Sequence, residues 1–405
     1  MKVICLHHRL AGFTSHHFNE AHGFRQEFAR RGKEFVLLIN SQAPAPIVAE
    51  LEAHAVLDDP TFRLEWSYEE RSKRFLRMLH AKIDGRLRAN DCVLITIATQ
   101  LEAHALTRWL QELPLRKKPW IVILFLSDRW NRYGPDEYDR QIAEFRTLEA
   151  TISSLTPDVA RRVIFLATTG LLAEELTGLL GTNVDAAPMP LPYGDPQLSS
   201  AAERESHLPR VVILGGTRRE KGSHLIPAIV EACRSHVQAE FVVQLANDTL
   251  TAEELEKLAT VGNQPNVTVI RHPMTLPEYN AALNDADIAL FPYEVIPYRK
   301  RTSGVFAEAV AFGKPVVVTR GTWMAEQIES GRAAGTIFED LQPDSIARAI
   351  ARCVADLESL QQSAQAVSST WRRTVSLSAF VDLMETQIAL RSKDDKPKRL
   401  SWWRR

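Results

Sequence analysis

"YRKRTSGVFAEAVAFGKPVVV" (Tyr298–Val318) joins a short helical pattern to a buried strand pattern. Gly313 and Pro315 end the helical part before a run of valines, as expected where a helix passes into a parallel strand. If Ser303 caps the helix, its first free amide groups point toward an anion at the helix mouth. Glu308 lies one turn along the face that begins at Gly304. The stretch therefore predicts one helix–strand step of an α/β sheet with an anion and a carboxylate on the same face.

The same alternation of Val- and Ile-rich runs with amphipathic helical stretches continues along most of the chain. Strand candidates are 2–6, 34–40, 91–98, 120–126, 162–167, 210–216, 240–246, 266–271 and 287–293. Helix candidates include 18–31, 69–87, 252–260, 276–285, 344–360 and 377–390. The pattern predicts an α/β protein with two doubly wound, Rossmann-like domains that face each other across a cleft.

Residues 186–210 break this rhythm with five prolines and a polar stretch, which is typical of an interdomain linker. A chain of 405 residues is also too long for one ordinary core. We expect a first domain over 1–195 and a second over 208–365. A helix at about 370–390 is expected to pack back onto the first domain, followed by a basic tail at 391–405.

The composition argues against several classes of protein. With a net charge of −1, the chain lacks the basic excess that a nucleic-acid binder needs. Its four cysteines are scattered, which favours reduced thiols over disulfides or metal ligands. No apolar run approaches the roughly 18 residues that span a bilayer, and no signal-peptide pattern opens the sequence. We therefore expect a cytoplasmic protein.

The tail 391–405 holds seven Lys or Arg against two Asp and includes Trp402 and Trp403. It is either a solvated terminus or a surface anchor, because indoles and basic groups both suit an anionic membrane interface. The second interpretation predicts peripheral contact with the inner face of the membrane.

A second motif, "ILGGTRREKGSHLIPAI" (213–229), ends a strand in Gly215 and Gly216 and reaches a helix through Lys221 and Ser223. Glycines at the end of a strand let a ligand approach the backbone, and a lysine there can neutralise a phosphate. The motif is neither a Walker loop nor a dinucleotide fingerprint. Taken alone, this motif is weak evidence for a ligand site, and the first stretch fits an ordinary buried helix better.

Together and in this order, the two motifs resemble the donor domain of GT-B glycosyltransferases, in particular the retaining family 4 (group 1 glycosyl transferases). The similar segments are the Lys221-Gly222 pair, "EAVAFGKPVV" (308–317), "EYNAALNDADIALFPY" (278–293) and "MPLPYGD" (189–195). The resemblance covers the second half of the chain well and the first half only in its rhythm.

The resemblance implies a retaining transfer of a sugar from a nucleotide diphosphate to an acceptor hydroxyl, without a metal or other cofactor. Lys221 would contact the diphosphate and stabilise the charge that develops on it, and Glu308 would hold the ribose hydroxyls. The donor site would be completed by Gly215, Gly216, Arg301, Thr302, Ser303, Gly304 and Val305, with His272 and Met274 in the region of the base. The acceptor would be a growing surface glycan or its lipid-linked precursor.

Two positions depart from the family pattern. The family's arginine falls on Gly216, so Arg218 or Arg219 would have to replace it in catalysis. An acid that touches the donor sugar in the family falls on Lys300. The basic trio Arg299–Arg301 would then add positive charge near the diphosphate, meet an acidic sugar or a phosphorylated acceptor, or form a solvated basic loop.

The first half offers acceptor-binding candidates rather than a metal site. The segment 7–24 contains five histidines, but no acid or cysteine framework accompanies them. We interpret this segment as a loop facing the cleft. The acceptor-binding candidates in it are Gly12, Phe13, Thr14, Ser15 and His16. Asp128, after the strand at 120–126, is a further candidate. The Asp285-Ala-Asp287 pattern fits a helix end and a strand start better than metal binding.

Two other classes of function stay open at this point. The departures at Gly216 and Lys300 would permit a non-catalytic binding or scaffold protein that kept the fold. A GT-B sugar phosphorylase would present a similar phosphate-holding helix.

Overall fold

The computed structural model describes residues 1–12, 16–59, 63, 65–88, 90–127, 135–193, 208–245, 250–264 and 266–393. The chain forms two compact units, Met1–Pro190 with Leu377–Arg405, and Leu191–Ser376. Each unit contains one parallel sheet with helices between its strands, so the predicted α/β class with two Rossmann-like domains is confirmed.

The first unit has a seven-stranded sheet in the order β3-β2-β1-β4-β5-β6-β7. Its strands are β1 Val3–His7, β2 Phe35–Asn40, β3 His54–Leu57, β4 Cys92–Ala98, β5 Trp120–Phe125, β6 Val163–Ala167 and β7 Val184–Ala186. Its helices are α1 His16–Arg30, α2 Ala45–Glu50, α3 Tyr68–Ile83, α4 Gln100–Glu112, α5 Pro135–Ser153, α6 Pro157–Ala160, α7 Gly170–Leu180 and, from the end of the chain, α16 Leu377–Lys393. The central strands are buried on both faces, which explains their nearly continuous runs of Val, Ile and Leu.

Helix α16 packs on α1. The rings of Phe24 and Phe380 meet edge to face with centroids 5.9 Å apart, and Arg31 donates a hydrogen bond to Asp382 at 2.7 Å. Phe380 is fully buried, as are Phe24 and Phe28 on α1. The last helix therefore contributes to the core of the first unit although the chain enters it from the second.

The second unit has a six-stranded sheet in the order β10-β9-β8-β11-β12-β13. Its strands are β8 Arg210–Ile213, β9 Glu240–Gln244, β10 Val267–Ile270, β11 Ile288–Phe291, β12 Val316–Thr319 and β13 Gly335–Phe338. Its helices are α8 Ile226–Cys233, α9 Ala252–Thr260, α10 Leu276–Asn284, α11 Val295–Tyr298, α12 Gly304–Ala311, α13 Trp323–Glu329, α14 Pro343–Ala355 and α15 Leu357–Thr374. The strand order reverses between β8 and β11, and the connections after these two strands diverge there.

The structure differs from the sequence expectations at two places. Residues 344–360 were expected to form one helix, but α14 ends at Ala355 and α15 begins at Leu357, because Asp356 leaves helical geometry with φ −105° and ψ 19°. Likewise, the region 370–390 holds the end of α15 and most of α16. Apolar residues recur at helical spacing on both sides of each break, so periodicity does not reveal it. Within the described part of the chain, no helix is long and apolar enough to cross a bilayer.

Candidate active site

The two motifs singled out in the sequence follow β8 and β11, which are neighbours at the reversal of the second sheet. In doubly wound sheets, ligands bind at the carboxyl ends of strands at such a reversal, because the diverging connections leave a crevice. The candidate site is therefore the group of side chains that follow these two strands.

Gly215 brings the two motifs into contact. It adopts φ +100°, and a Cβ atom at this position would lie 3.0 Å from Val305 Cγ2 and 3.2 Å from Lys221 Nζ. Its amide donates a hydrogen bond to Gln244 Oε1 at 2.8 Å. Both the backbone conformation and the lack of space favour glycine here, so the start of α12 and Lys221 can approach the end of β8.

Lys221 is held by a tight turn. Its amide donates to the carbonyl of Arg218 at 3.1 Å, and the next residue, Gly222, adopts φ +71°. A Cβ atom on Gly222 would lie 2.1 Å from the carbonyl oxygen of Pro292, so the turn packs directly on the chain after β11. The Lys221 ammonium lies 5.6 Å from the centroid of the Tyr293 ring, within cation–π range.

Helix α12 starts as the sequence predicts. The Ser303 hydroxyl accepts a hydrogen bond from the Phe306 amide at 3.3 Å, so Ser303 is the N-cap. The amides of Gly304 and Val305 then lie in the first turn, where backbone N–H groups have no intrahelical acceptor. These amides and the helix dipole make the start of α12 suited to an anion.

Glu308 follows one turn later. The Tyr279 hydroxyl donates a hydrogen bond to Glu308 Oε2 at 2.5 Å. Burial raises the pKa of Glu308 to about 7, while Tyr279 and Lys221 oppose the shift. Burial also lowers the pKa of Lys221 to about 8; nearby Arg218 adds to the shift, whereas Glu220 and Glu308 oppose it. The pKa values of Glu308 and Lys221 thus both lie near neutral pH, so either group can change its charge there.

Arg218 and Arg219, the two arginines proposed to replace the family's arginine, have different ion-pair partners. Arg219 forms an ion pair with Glu254 of α9. Arg218 instead lies 3.8 Å from Glu220, and Arg301 lies 4.0 Å from the same carboxylate. Both arginines therefore pair with a carboxylate, but Arg218 also acts on Lys221 in the site, whereas Arg219 pairs with α9.

The remaining donor-site candidates surround this group. Thr302 and Ser303 are buried, Gly216 is half-buried, and the Arg301 guanidinium lies 5.2 Å from the centroid of the Tyr298 ring. His272, whose side chain is 62% exposed, pairs with Glu278 at 3.5 Å, and Met274 is half-buried nearby in sequence. Both precede α10, the helix that carries Tyr279.

Of the acceptor-binding candidates, the structure places Gly12 in a half-buried position after β1. Phe13, Thr14, Ser15 and Asp128 lie outside the described residues, and His16 is described only as the first residue of α1. The tail is described as far as Lys393. The acceptor assignments therefore stay predictions.

Asp285 and Asp287 have structural roles. Asp287 Oδ2 accepts a hydrogen bond from the Arg210 amide at 2.8 Å, and Asp285 is the C-cap of α10. Over the residues that the structure describes, no group of three His, Cys, Asp or Glu side chains is arranged to hold a metal ion. The expectation of metal-free chemistry remains a prediction.

Tyr279, Tyr293 and Glu220 belong to the site but were not singled out in the sequence. All three lie inside the quoted motif segments, yet neither spacing nor residue type distinguishes them from packing residues. Only the fold shows that α10 and the turn after β11 face Glu308 and Lys221.

Residues 208–356 match a family model described as "Glycosyl transferases group 1". They form a group 1 glycosyl transferase domain. This domain contains every element of the candidate site, and the predicted resemblance to group 1 glycosyl transferases is confirmed. Assignment to family 4 specifically stays a prediction.

Solved structures share the fold of the whole chain. A glycosyltransferase from Rickettsia africae has 13% identity and a TM-score of 0.66, covering 98% of this chain and 99% of its own. HepE from Anabaena, in complex with UDP-glucose, has 14% identity and a TM-score of 0.60, covering 97% and 100%. A UDP-GlcNAc 2-epimerase from Neisseria meningitidis, bound to UDP-GlcNAc, has 14% identity and a TM-score of 0.54, covering 96% and 100%.

These similarities establish the GT-B fold, and the group 1 glycosyl transferase domain supports a transferase enzyme. Among curated proteins, none matches the chain by sequence.

Proposed function

We propose that this glycosyltransferase moves a sugar from a nucleotide-diphosphate donor to an acceptor hydroxyl with retention of anomeric configuration. The observation that carries the proposal is the convergence of Lys221, the first amides of α12 and Glu308 at the end of one sheet. A diphosphate between Lys221 and the start of α12 would place its ribose further along the helix. Glu308 lies about 6 Å along the axis from Gly304, at 1.5 Å per residue.

Lys221 and α12 supply what this chemistry needs. As the bond between the sugar C1 and the diphosphate oxygen breaks, negative charge grows on the diphosphate, and the Lys221 ammonium with the helix amides stabilises that charge. For retention, the acceptor oxygen bonds to C1 on the face that the diphosphate leaves. The acceptor proton then passes to an oxygen of the departing diphosphate. This proposal requires neither a metal ion nor another cofactor.

Uridine nucleotides are the first donors to test. HepE was solved with UDP-glucose and the 2-epimerase with UDP-GlcNAc, and both share the fold of this chain. The base would lie near His272 and Met274, beside the helix that carries Tyr279.

For the acceptor we propose a surface glycan or its lipid-linked precursor, in a cytoplasmic pathway at the inner face of the membrane. The basic trio 299–301 and the Trp-containing tail 391–405 support an anionic acceptor or membrane surface through their charge. Sedimentation with anionic liposomes tests the tail: removal of 391–405 should abolish binding, and unchanged binding contradicts this part of the proposal.

Calorimetry with UDP, ADP and GDP, followed by measurement of nucleotide release from the matching sugar donors, tests the function. We expect one nucleoside diphosphate to bind and its sugar donor to be consumed. Absence of binding to every nucleoside diphosphate would favour a scaffold protein. Release of a sugar phosphate that depends on inorganic phosphate would instead identify a phosphorylase.

A further inference from the structure

The hydrogen bond between Tyr279 and Glu308 joins two elements of the donor site. Tyr279 lies on α10, between β10 and β11, whereas Glu308 lies on α12, after β11. Their oxygens are 2.5 Å apart. This separation falls in the range of a hydroxyl that donates to an ionised carboxylate, about 2.5–2.7 Å, and is shorter than the usual neutral bond.

Other groups that act on Glu308 come from three further segments. Lys221 approaches from the turn after β8, Tyr293 from the chain after β11, and Tyr193 from the predicted linker 186–210. Tyr193 lies near Glu308, but its hydroxyl is 3.2 Å from the indole nitrogen of Trp371 and accepts the longer branch of a shared indole hydrogen bond, whose shorter branch goes to the Ala307 carbonyl at 2.9 Å. The two tyrosines are therefore a matched pair, of which Tyr279 binds the carboxylate directly.

We propose that Tyr279 is a positioning residue, whose hydroxyl fixes one oxygen of the Glu308 carboxylate, favours its charged form and leaves its remaining lone pairs to accept the ribose hydroxyl protons. This inference rests on the proposed function. It assigns Tyr279 a part in distinguishing ribonucleotide from deoxyribonucleotide donors.

Glu308 needs this hydrogen bond because its carboxylate is partly buried. A carboxylate removed from water tends to take up a proton, and a protonated carboxyl would donate a hydrogen bond where an acceptor is needed. Burial and the neighbouring Glu308 raise the pKa of Tyr279 well above its usual value, so its hydroxyl keeps its proton. Tyr279 can therefore stabilise the charged form of Glu308 over the whole working range of pH.

Calorimetry with UDP and 2′-deoxy-UDP tests the inference between pH 6 and pH 9, with ADP or GDP pairs if the base differs. The variants are Tyr279→Phe, its matched control Tyr193→Phe, and Glu308→Gln. In Tyr279→Phe we expect ribonucleotide affinity at pH 7 to fall about tenfold, since a hydrogen bond to a charged group is lost. The deoxynucleotide should be affected less, and Tyr193→Phe should behave as wild type.

The pH profile separates positioning from packing. Without the Tyr279 hydroxyl, the rise in ribonucleotide affinity that accompanies ionisation of Glu308 should move upward by about one pH unit. Titration of the nucleotide itself is common to all variants and cancels in the comparison. Glu308→Gln lacks this rise, and adding Tyr279→Phe in that background should leave the pH profile unchanged.

Three results would overturn the inference: equal weakening of both nucleotides by Tyr279→Phe at every pH, an unshifted profile, or an effect that persists in Glu308→Gln. If wild type binds no nucleoside diphosphate, the proposed function itself fails, which is a different outcome. Should Tyr279→Phe unfold, Tyr279→His supplies another ring with an N–H donor. It should bind the ribonucleotide better than the deoxynucleotide, and equal binding of the two would count against the inference.

Discussion

Trp371 donates its indole N–H to the carbonyl oxygen of Ala307 at 2.9 Å, and Ala307 directly precedes Glu308 on α12. The Tyr193 hydroxyl lies 3.5 Å from the same carbonyl. Helix α15, near the crossing back to the first unit, is thereby bonded to the helix that carries the proposed ribose ligand.

Trp371→Phe should lower the free energy of unfolding of the second unit by about 1–3 kcal/mol, because the Ala307 carbonyl loses its closer side-chain donor. Urea denaturation measures the change. Tyr193→Phe is the control, since it leaves the indole bond in place and should cost less. Equal losses in the two variants would contradict the importance of the indole bond.

Lys221→Ala and Glu308→Ala should each reduce sugar transfer by about 10²–10³-fold, the range found when one group that stabilises transition-state charge is removed. Their circular dichroism should match wild type, because both side chains are only half-buried. Lys257→Ala, which removes an exposed lysine paired with Glu253, is the control for loss of charge. Full activity in either site variant would refute the assignment.

Nucleoside diphosphate binding should show a bell-shaped dependence on pH. Glu308 must be ionised to accept ribose protons, so affinity rises through its pKa of about 7. Lys221 must be protonated to attract the diphosphate, so affinity falls above its pKa of about 8. Calorimetry across pH 5.5–9.5 measures the curve. Glu308→Gln should lose the Glu308-dependent part of the rise and keep the basic limb; a flat wild-type curve would contradict the prediction.

Gly222→Ala should destabilise the second unit more than Gly331→Ala. Both glycines have positive φ, +71° and +69°, so both variants suffer similar backbone strain of about 1 kcal/mol. Only at Gly222 would the new Cβ atom also meet a backbone carbonyl, that of Pro292 at 2.1 Å; nothing lies within 4 Å at Gly331. Thermal unfolding of both variants measures the difference. Equal melting temperatures would show that the turn can move away from Pro292.

Glu20 on α1 should make the first unit less stable as the pH rises. Burial raises the pKa of Glu20 from 4.5 to about 8, while Thr96 opposes the shift. Between these two pH values the folded state binds a proton that the unfolded state has lost, so stability falls by about 1.4 kcal/mol per pH unit. Glu20→Gln should therefore be more stable than wild type at pH 8 and similar near pH 4.5. Urea denaturation of both at the two pH values checks this; a constant difference would contradict it.

Much of the fold could be predicted because the strands of a parallel sheet have a characteristic sequence pattern. Buried strands such as Cys92–Ala98 require continuous apolar runs. The edge strands β3, β7 and β13 were missed, because they are short and only partly buried and therefore lack a continuous apolar run. The helix break at Asp356 was missed because apolar periodicity continues on both sides of it.

The candidate site divides in the same way. Lys221, Ser303 and Glu308 could be predicted because local motifs carry them: a glycine turn, a helix cap and a one-turn spacing. Tyr279 and Glu220 could not, and the choice between Arg218 and Arg219 depends on Glu254, a residue of another helix.

The sequence by itself determined two doubly wound domains, the start of α12 and the residue types that can hold a phosphate and a diol. These follow from short-range rules of hydrophobic period, capping and backbone freedom. Only the tertiary structure decided that Tyr279 donates a hydrogen bond to Glu308 and that Trp371 donates one to Ala307. It also decided that Val305 and Lys221 both lie close to Gly215. Such contacts depend on how strands far apart in the chain are ordered in the sheet, and local sequence patterns do not encode that order.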